Sequence, residues 1–321
     1  MTAAAHELSF ASDGHTLVGS LLLPGDARRP AAAVLLLPGS GPVDRDSDHP
    51  RARLGVTRLL AEALADAGIA SFRYDKRGVG ASTGEFLRVG FDDNAADARA
   101  ALATLSAQPE IDAQRIVVLG HSEGAFHAVP LGLDPVAGLV LLAGAAGPAE
   151  DVVRYQARAV IEVLPAPVRA LLRLLPVDVG AQHRKKLDAL RATTTDVTGW
   201  GPTRTNARWW REFLAADPRP QLAALDVPVL AITGDHDVQV DPADAEAIAT
   251  LVARGESYRA PRVTHILRRT PRAVGPWAYR RQLAAPLAAD VVDRVVAFVR
   301  RVGAEHADGV ERTGQARCSS R

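Results

Sequence analysis

Sulfur is nearly absent from this chain: a single cysteine, Cys318, stands in a polar stretch near the end of its 321 residues. That excludes an internal disulfide framework and disfavours a metal–thiolate centre. An excess of charge of either sign is missing too, since 38 basic residues face 37 acidic ones for a net charge of +1. A nucleic acid or an anionic membrane would call for a basic face, so neither is an expected partner. No apolar run comes near the roughly 20 residues of a membrane-spanning helix. The first residues include His6, Glu7 and Asp13 and lack the basic segment and apolar core of a secretory signal, which makes the cytoplasm the expected compartment. No internal repeat occurs, and no glycine pattern opens a helix after a strand with an acid at the dinucleotide-binding distance. What remains is an ordinary globular composition, 47% hydrophobic and 23% charged, of a size for one large α/β domain carrying an insertion or for two domains.

Against this background one stretch stands out: Val117-Val118-Leu119-Gly120-His121-Ser122-Glu123-Gly124-Ala125. Its apolar half is short and β-branched, as in a strand buried on both faces. The residues after Gly124 read as a helix. A serine between two glycines at a strand-to-helix turn is the G-x-S-x-G pattern of an exposed nucleophile. The requirement is steric, because side chains at Gly120 and Gly124 would collide with strand or helix.

Elsewhere, strands are expected at 7–10 and 16–23, joined by an Asp13-Gly14 hairpin turn, and at 31–37, 69–74, 115–119, 136–143, 229–233 and 257–260. Helices are expected at 54–67, 93–107 and 288–302, with another opening at Asp241-Pro242, where Asp241 is the cap. The alternation of strands and helices predicts a mostly parallel sheet with helices on both faces. It breaks between 148 and 222, where helical patterns at 151–163, 166–175, 181–192 and 206–215 hold Trp200, Trp209 and Trp210. We read this segment as a helical cap between two parts of the core, 1–147 and 223–302, with a disordered polar tail at 303–321. The tryptophans either pack the cap internally or line an apolar pocket over Ser122.

A serine hydroxyl needs a base, and the base needs an orienting acid. In a sheet of this kind the order is serine, acid, histidine, each on a loop at the carboxyl edge. Of the nine histidines, His265 alone combines a loop after the last strand with that order. Asp235 and Asp237 compete for the acid; one directly after the glycine commonly caps a turn, which favours Asp237. An oxyanion hole needs two backbone N–H groups. One is expected from Glu123, the other from the loop after the third strand, with Ser40 the first choice and Gly41 the second. The charged residues Asp44, Arg45, Asp46, Arg73, Asp75, Lys76 and Arg77 could suggest an anion site, but alternating charges on neighbouring loops more often pair with one another.

Five segments carry a family resemblance: Leu37-Pro38-Gly39-Ser40-Gly41-Pro42-Val43-Asp44-Arg45-Asp46, Arg73-Tyr74-Asp75-Lys76-Arg77-Gly78-Val79-Gly80-Ala81-Ser82, Gly120-His121-Ser122-Glu123-Gly124, Gly234-Asp235-His236-Asp237-Val238-Gln239-Val240 and Thr264-His265. Together they resemble the α/β-hydrolase superfamily, in its bacterial esterase and dienelactone-hydrolase-like branch. The resemblance implies the α/β-hydrolase fold, Asp237 as the acid, and hydrolysis of carboxylic esters through an acyl-enzyme without a cofactor or metal. Thr264 departs from it, since many relatives carry asparagine there, and the departure touches the orientation of His265. A carboxylesterase acting on short to medium acyl esters is the leading expectation. A small-peptide amidase, a thioesterase or an acyltransferase would use the same three residues, and a non-catalytic binding homologue is the third reading.

Overall fold

The computed structural model describes residues 3–25, 30–174 and 179–318. Eight strands form the main sheet: β1 (Ala4–Ser12), β2 (His15–Leu23), β3 (Ala31–Leu37), β4 (Ala70–Tyr74), β5 (Ile111–His121), β6 (Gly138–Leu142), β7 (Val229–Gly234) and β8 (Gly255–Ala260). Their spatial order is β1-β2-β4-β3-β5-β6-β7-β8. The pairings β1–β2 and β2–β4 are antiparallel and the rest are parallel. Asp13 (φ 44°) and Gly14 (φ 78°) turn the β1–β2 hairpin with both residues left-handed, as a two-residue turn of matching twist requires.

The central strands read as unbroken apolar runs because both faces are covered. Alternate residues go to opposite sides. Leu35, Leu37, Val118, Leu139, Leu141 and Ala231 pack in one cluster with Ala101 and Leu105 of α2 (Phe91–Ser106) and Ala125, Ala128 and Val129 of α3 (Glu123–Leu131). Val34, Leu36, Val117, Leu119, Val140 and Ile232 pack in another with Leu60 and Leu64 of α1 (Val56–Asp66) and Val295, Phe298 and Val299 of the last helix. Each fully buried leucine contributes about 1.5–3 kcal/mol, so the two layers fix the strand register and, with it, the loops at the carboxyl edge.

Between β6 and β7 the chain runs through α4 (Ala149–Glu162), α5 (Ala166–Leu174), α6 (Val179–Arg191), a two-residue ribbon pairing Val197–Thr198 with Thr205–Asn206, α7 (Ala207–Ala215) and α8 (Arg219–Ala223). Their shared core is small: Phe91, Val153, Leu187, Phe213 and Leu214, with Trp209 and Trp210 against it. Asn206 caps α7 by accepting from the Trp209 N–H (2.9 Å) and donates to the carbonyls of Phe86 and Val89 (3.1 and 2.6 Å), fastening α7 to the segment that precedes α2. Among the described residues no helix is long and apolar enough to cross a membrane.

Some boundaries differ from expectation. Asp241 caps only a turn, accepting from the Ala243 N–H at 2.9 Å, and helix α9 begins later, at Asp244–Leu251. The last helix, α10, spans Ala289–Cys318 and so passes through 303–318, where a disordered tail is expected. Alanine, glutamate, arginine and glutamine there favour helix, and Glu305 lies 3.6 Å from Arg301 one turn back. Leu175, the expected end of the 166–175 helix, and residues 319–321 of the expected tail lie outside the described residues.

Candidate active site

The strand-to-helix turn imposes its own geometry. Ser122, between β5 and α3, has φ 57° and ψ −118°, a conformation that costs a non-glycine residue about 1–3 kcal/mol and persists only where its surroundings dictate it. A Cβ on Gly120 would stand 2.1 Å from the Gly124 carbonyl oxygen, and one on Gly124 2.3 Å from that of Leu37 at the end of β3. The Ser122 N–H donates to Leu142 O (2.9 Å), binding the turn to β6. Strand, helix and neighbouring strands thus close around the turn, and Ser122 lines a cavity of about 420 Å³.

Asp237 and His265 meet. The loop after β7 carries Asp237, whose Oδ2 lies 2.8 Å from His265 Nδ1, while its Oδ1 accepts the N–H groups of Gln239 (2.7 Å) and Val240 (3.1 Å). A carboxylate only accepts, so the imidazole proton sits on Nδ1 and the Nε2 lone pair stays free. Asp235 faces elsewhere and accepts the Arg262 N–H.

His265 is steadied from two further sides. Its backbone carbonyl lies 2.8 Å from Nε2 of His121, and the two rings stand 5.0 Å apart. Burial keeps the His121 ring neutral, helped by the nearby His265, and lowers its pKa to about 4. Thr264, where the family resemblance anticipates asparagine, donates its hydroxyl to Gln282 Oε1 (2.7 Å). Arg268, 2% exposed, donates to the carbonyls of Leu54, Ala285 and Ile266 and so staples the same turn. Among the described residues no hydrogen bond joins the Ser122 hydroxyl to His265; such pairs are commonly loose until substrate is seated.

Ser40, Gly41, Ser122 and Glu123 line the cavity; Asp237 and His265 do not. Among the described residues neither the Ser40 nor the Glu123 N–H donates to a protein acceptor. A Cβ on Gly39 would stand 3.3 Å from that of Ser122, so the loop after β3 lies directly against the serine. The opposite wall comes from the inserted helices: Val153, Trp209, Trp210 and Phe213 all face the cavity, whereas Trp200 is 88% exposed.

The charged loops mostly pair. Arg45 binds Asp75 at 2.8 Å and Arg73 binds Asp46 at 2.9 Å. Arg77 instead reaches Asp97 (2.7 Å) on α2 and Asp13 (3.0 Å). Lys76 turns inward, donating to the Gly39 carbonyl at 2.7 Å and standing 3.4 Å from Glu123 Oε1. That oxygen also receives Asn94 Nδ2 (3.0 Å), His127 Nε2 (3.1 Å) and Trp209 Nε1 (3.3 Å). Burial alone would push the Glu123 pKa up; the Lys76 charge and the His127 and Trp209 bonds outweigh it and hold it at about 2. This buried cluster was not anticipated from sequence, and no local periodicity announces a contact across 47 residues. Among the described residues no group of His, Cys, Asp or Glu side chains is arranged to hold a metal ion.

Eight mostly parallel strands, helices on both faces and a serine on the sharp turn after β5 define the α/β-hydrolase fold. The sequence family described as serine aminopeptidase, S33, matches residues 53–265, and the chain belongs to it. Over 235 residues the chain is 27% identical to the esterase EstD of Thermotoga maritima, a match covering 72% of this chain and 52% of EstD. An uncharacterised protein of Mycobacterium tuberculosis is 38% identical over 104 residues, 32% of this chain and 36% of that protein. The chain therefore matches only about half or less of the length of these curated relatives. Among solved structures, proline iminopeptidase of Mycobacterium smegmatis superposes with a TM-score of 0.62 at 17% identity, covering 94% of this chain and 99% of that one. Est1E of Butyrivibrio proteoclasticus with ferulic acid bound gives 0.60 at 16%, again covering 94% and 99%. At such identities the likeness speaks for the fold.

Proposed function

We propose that the protein is a serine hydrolase that cleaves small carboxylic esters with short to medium acyl groups. In this reading His265 Nε2 takes the Ser122 hydroxyl proton as Oγ attacks the ester carbonyl carbon. The carbonyl oxygen becomes an oxyanion and is received by the N–H groups of Ser40 and Glu123. Collapse expels the alkoxide, which leaves with the proton from His265, and an acyl-enzyme remains on Ser122. Water then enters, gives its proton to the same nitrogen, and releases the acid and the serine. Asp237 holds the imidazole in the Nδ1–H tautomer and offsets its charge while protonated.

The observation that carries this reading is the 2.8 Å contact of His265 with Asp237, at the sheet edge where a strained Ser122 faces a cavity with two undonated N–H groups. An aminopeptidase, the activity in the family's description, would need a free carboxylate for the substrate's terminal ammonium. The one carboxylate among the described cavity-lining residues is Glu123, already engaged by Lys76, which favours a neutral ester. The cavity size and its aromatic wall suit an acyl chain of modest length.

The test is labelling by a fluorophosphonate, with loss of fluoride, together with an acyl-chain-length series of aryl esters on wild type and Ser122→Ala. Wild type should label at Ser122 and turn over the short and medium esters. Ser122→Ala should lose label and about 10⁴–10⁶-fold in kcat/KM. A folded wild type that does neither overturns the reading.

A further inference from the structure

We propose that Lys76 is a positioning residue for the oxyanion hole, its ammonium holding the Gly39–Ser40 peptide, which carries one N–H, and the side chain of Glu123, the residue that supplies the other. This rests on the acyl-enzyme reading above and adds to it the group that sets the hole's geometry.

Three chain segments meet at this nitrogen. Lys76 comes from the loop after β4, Gly39 from the loop after β3, and Glu123 from the first turn of α3. Lys76 Nζ donates to Gly39 O at 2.7 Å, the shorter of its two contacts. The peptide between Gly39 and Ser40 is planar and trans, so its C=O and N–H point in opposite directions. Fixing the carbonyl on Lys76 therefore fixes the direction of the Ser40 N–H. The second contact, 3.4 Å to Glu123 Oε1, reaches the side chain of the residue that supplies the other N–H. One ammonium thus ties together two donors that lie more than 80 positions apart in the chain.

Two physical arguments make this more than packing. First, a buried ion pair is a poor device for stability, because desolvating both charges offsets most of their attraction and apolar residues of similar volume do as well. Lys76 and Glu123 are both almost wholly buried, at 5% and 2% side-chain exposure. Secondly, oxyanion donors act within a window of about 2.7–3.1 Å, and Gly39 packs against Ser122. A small rotation of the Gly39–Ser40 peptide would carry its N–H out of that window while leaving the cavity walls, and hence substrate binding, almost unchanged. A cation on the carbonyl oxygen also polarises the peptide and strengthens its N–H as a donor.

The experiment compares wild type, Lys76→Met and the double variant Lys76→Met/Glu123→Gln, in which no carboxylate is left unpaired. Folding is followed by circular dichroism and thermal melting, and kcat and KM are measured on an aryl ester. Inhibition by an alkyl trifluoromethyl ketone, which forms a tetrahedral adduct, reports on the hole directly. The expected result is a fall in kcat of about 30- to 300-fold in both variants, with KM within about threefold. Ketone affinity should weaken in step with kcat. Recovery of kcat to near wild type in the double variant overturns the proposal, since Lys76 would then only neutralise Glu123. A loss borne by KM, or a double variant that does not fold, overturns it as well. If wild type neither labels at Ser122 nor cleaves the ester, the functional reading has failed instead; if it does both, the variants judge Lys76 alone.

Discussion

The two walls of the cavity are built differently. On the sheet edge, buried polar groups are fastened in pairs: Lys76 and Glu123 line the cavity and meet each other and Gly39, while Asp237 with His265, and His121 with the His265 carbonyl, stand outside its lining. The wall contributed by the inserted helices is apolar and aromatic, with Trp209 stacked on Phe213 at 4.7 Å and Trp210 edge-on to Trp209 at 5.1 Å. Many of the polar links outside it are exposed ion pairs such as Arg154–Glu150 and Arg191–Glu150, worth about 0–1 kcal/mol each. The lesson is a division of labour. A change on the sheet side should alter the reaction; a change on the helical side should alter which molecule reacts.

The sharpest way to break that contrast is on the sheet side. Asp237→Asn should lower kcat by about 10⁴-fold, because an amide that offers its NH₂ to Nδ1 selects the wrong imidazole tautomer. Asp235→Asn should leave kcat within a few-fold, since Asp235 only accepts the Arg262 N–H. Kinetics of both variants on one aryl ester decide between them, and equal losses would refute the assignment of the acid.

A second test concerns stability on the same side. The His121 pKa is lowered from 6.5 to about 4 in the folded chain, so below pH 6.5 the unfolded chain binds a proton that the folded one refuses. Its contribution is complete above pH 6.5 and is lost as pH falls towards 4, an effect of about 3 kcal/mol across that window. Urea denaturation from pH 7 to 4 should show this decline in wild type and a shallower one in His121→Gln, whose amide still donates to the His265 carbonyl.

The smallest expected effect lies across the cavity. Trp210→Leu should raise KM for medium-chain aryl esters by about 5- to 50-fold and leave kcat for acetyl esters close to wild type, as befits an apolar contact of 1–2 kcal/mol. An equal loss for every chain length would dissolve the proposed division between the walls.

Much of the sheet was legible from local pattern. The unbroken runs at β3, β5, β6 and β7 announce strands covered on both faces, and Gly120 and Gly124 carry their steric reason with them. Asp237 and His265 could be picked by chain order because their loops follow the last two strands of the sheet. Other features depend on contacts that no window of sequence contains. Trp200 and Trp209 look alike in composition, yet only Trp209 shares a helix face with Phe213, at i and i+4 on α7, and only it turns to the cavity. Lys76 sits in a run of charges whose neighbours Asp75 and Arg77 are equally buried but pair with Arg45 and Asp97, and nothing nearby in the chain marks Lys76 as the one that reaches Gly39 and Glu123. The length of α10 escaped for a different reason: the residues after 302 read as a polar tail, while the alanine, glutamate, arginine and glutamine among them favour continuation of the helix.

The bond from His121 to the His265 carbonyl also bears on timing. It joins the turn that carries Ser122 to the backbone that carries His265, so separating these two pieces has to break this bond. On the proposed reading, side-chain rotation, a matter of picoseconds to nanoseconds, is then the motion expected to bring hydroxyl and imidazole together. The chemistry should follow encounter without an induction phase of its own, leaving passage of the substrate past the tryptophan wall as the motion that sets the pace.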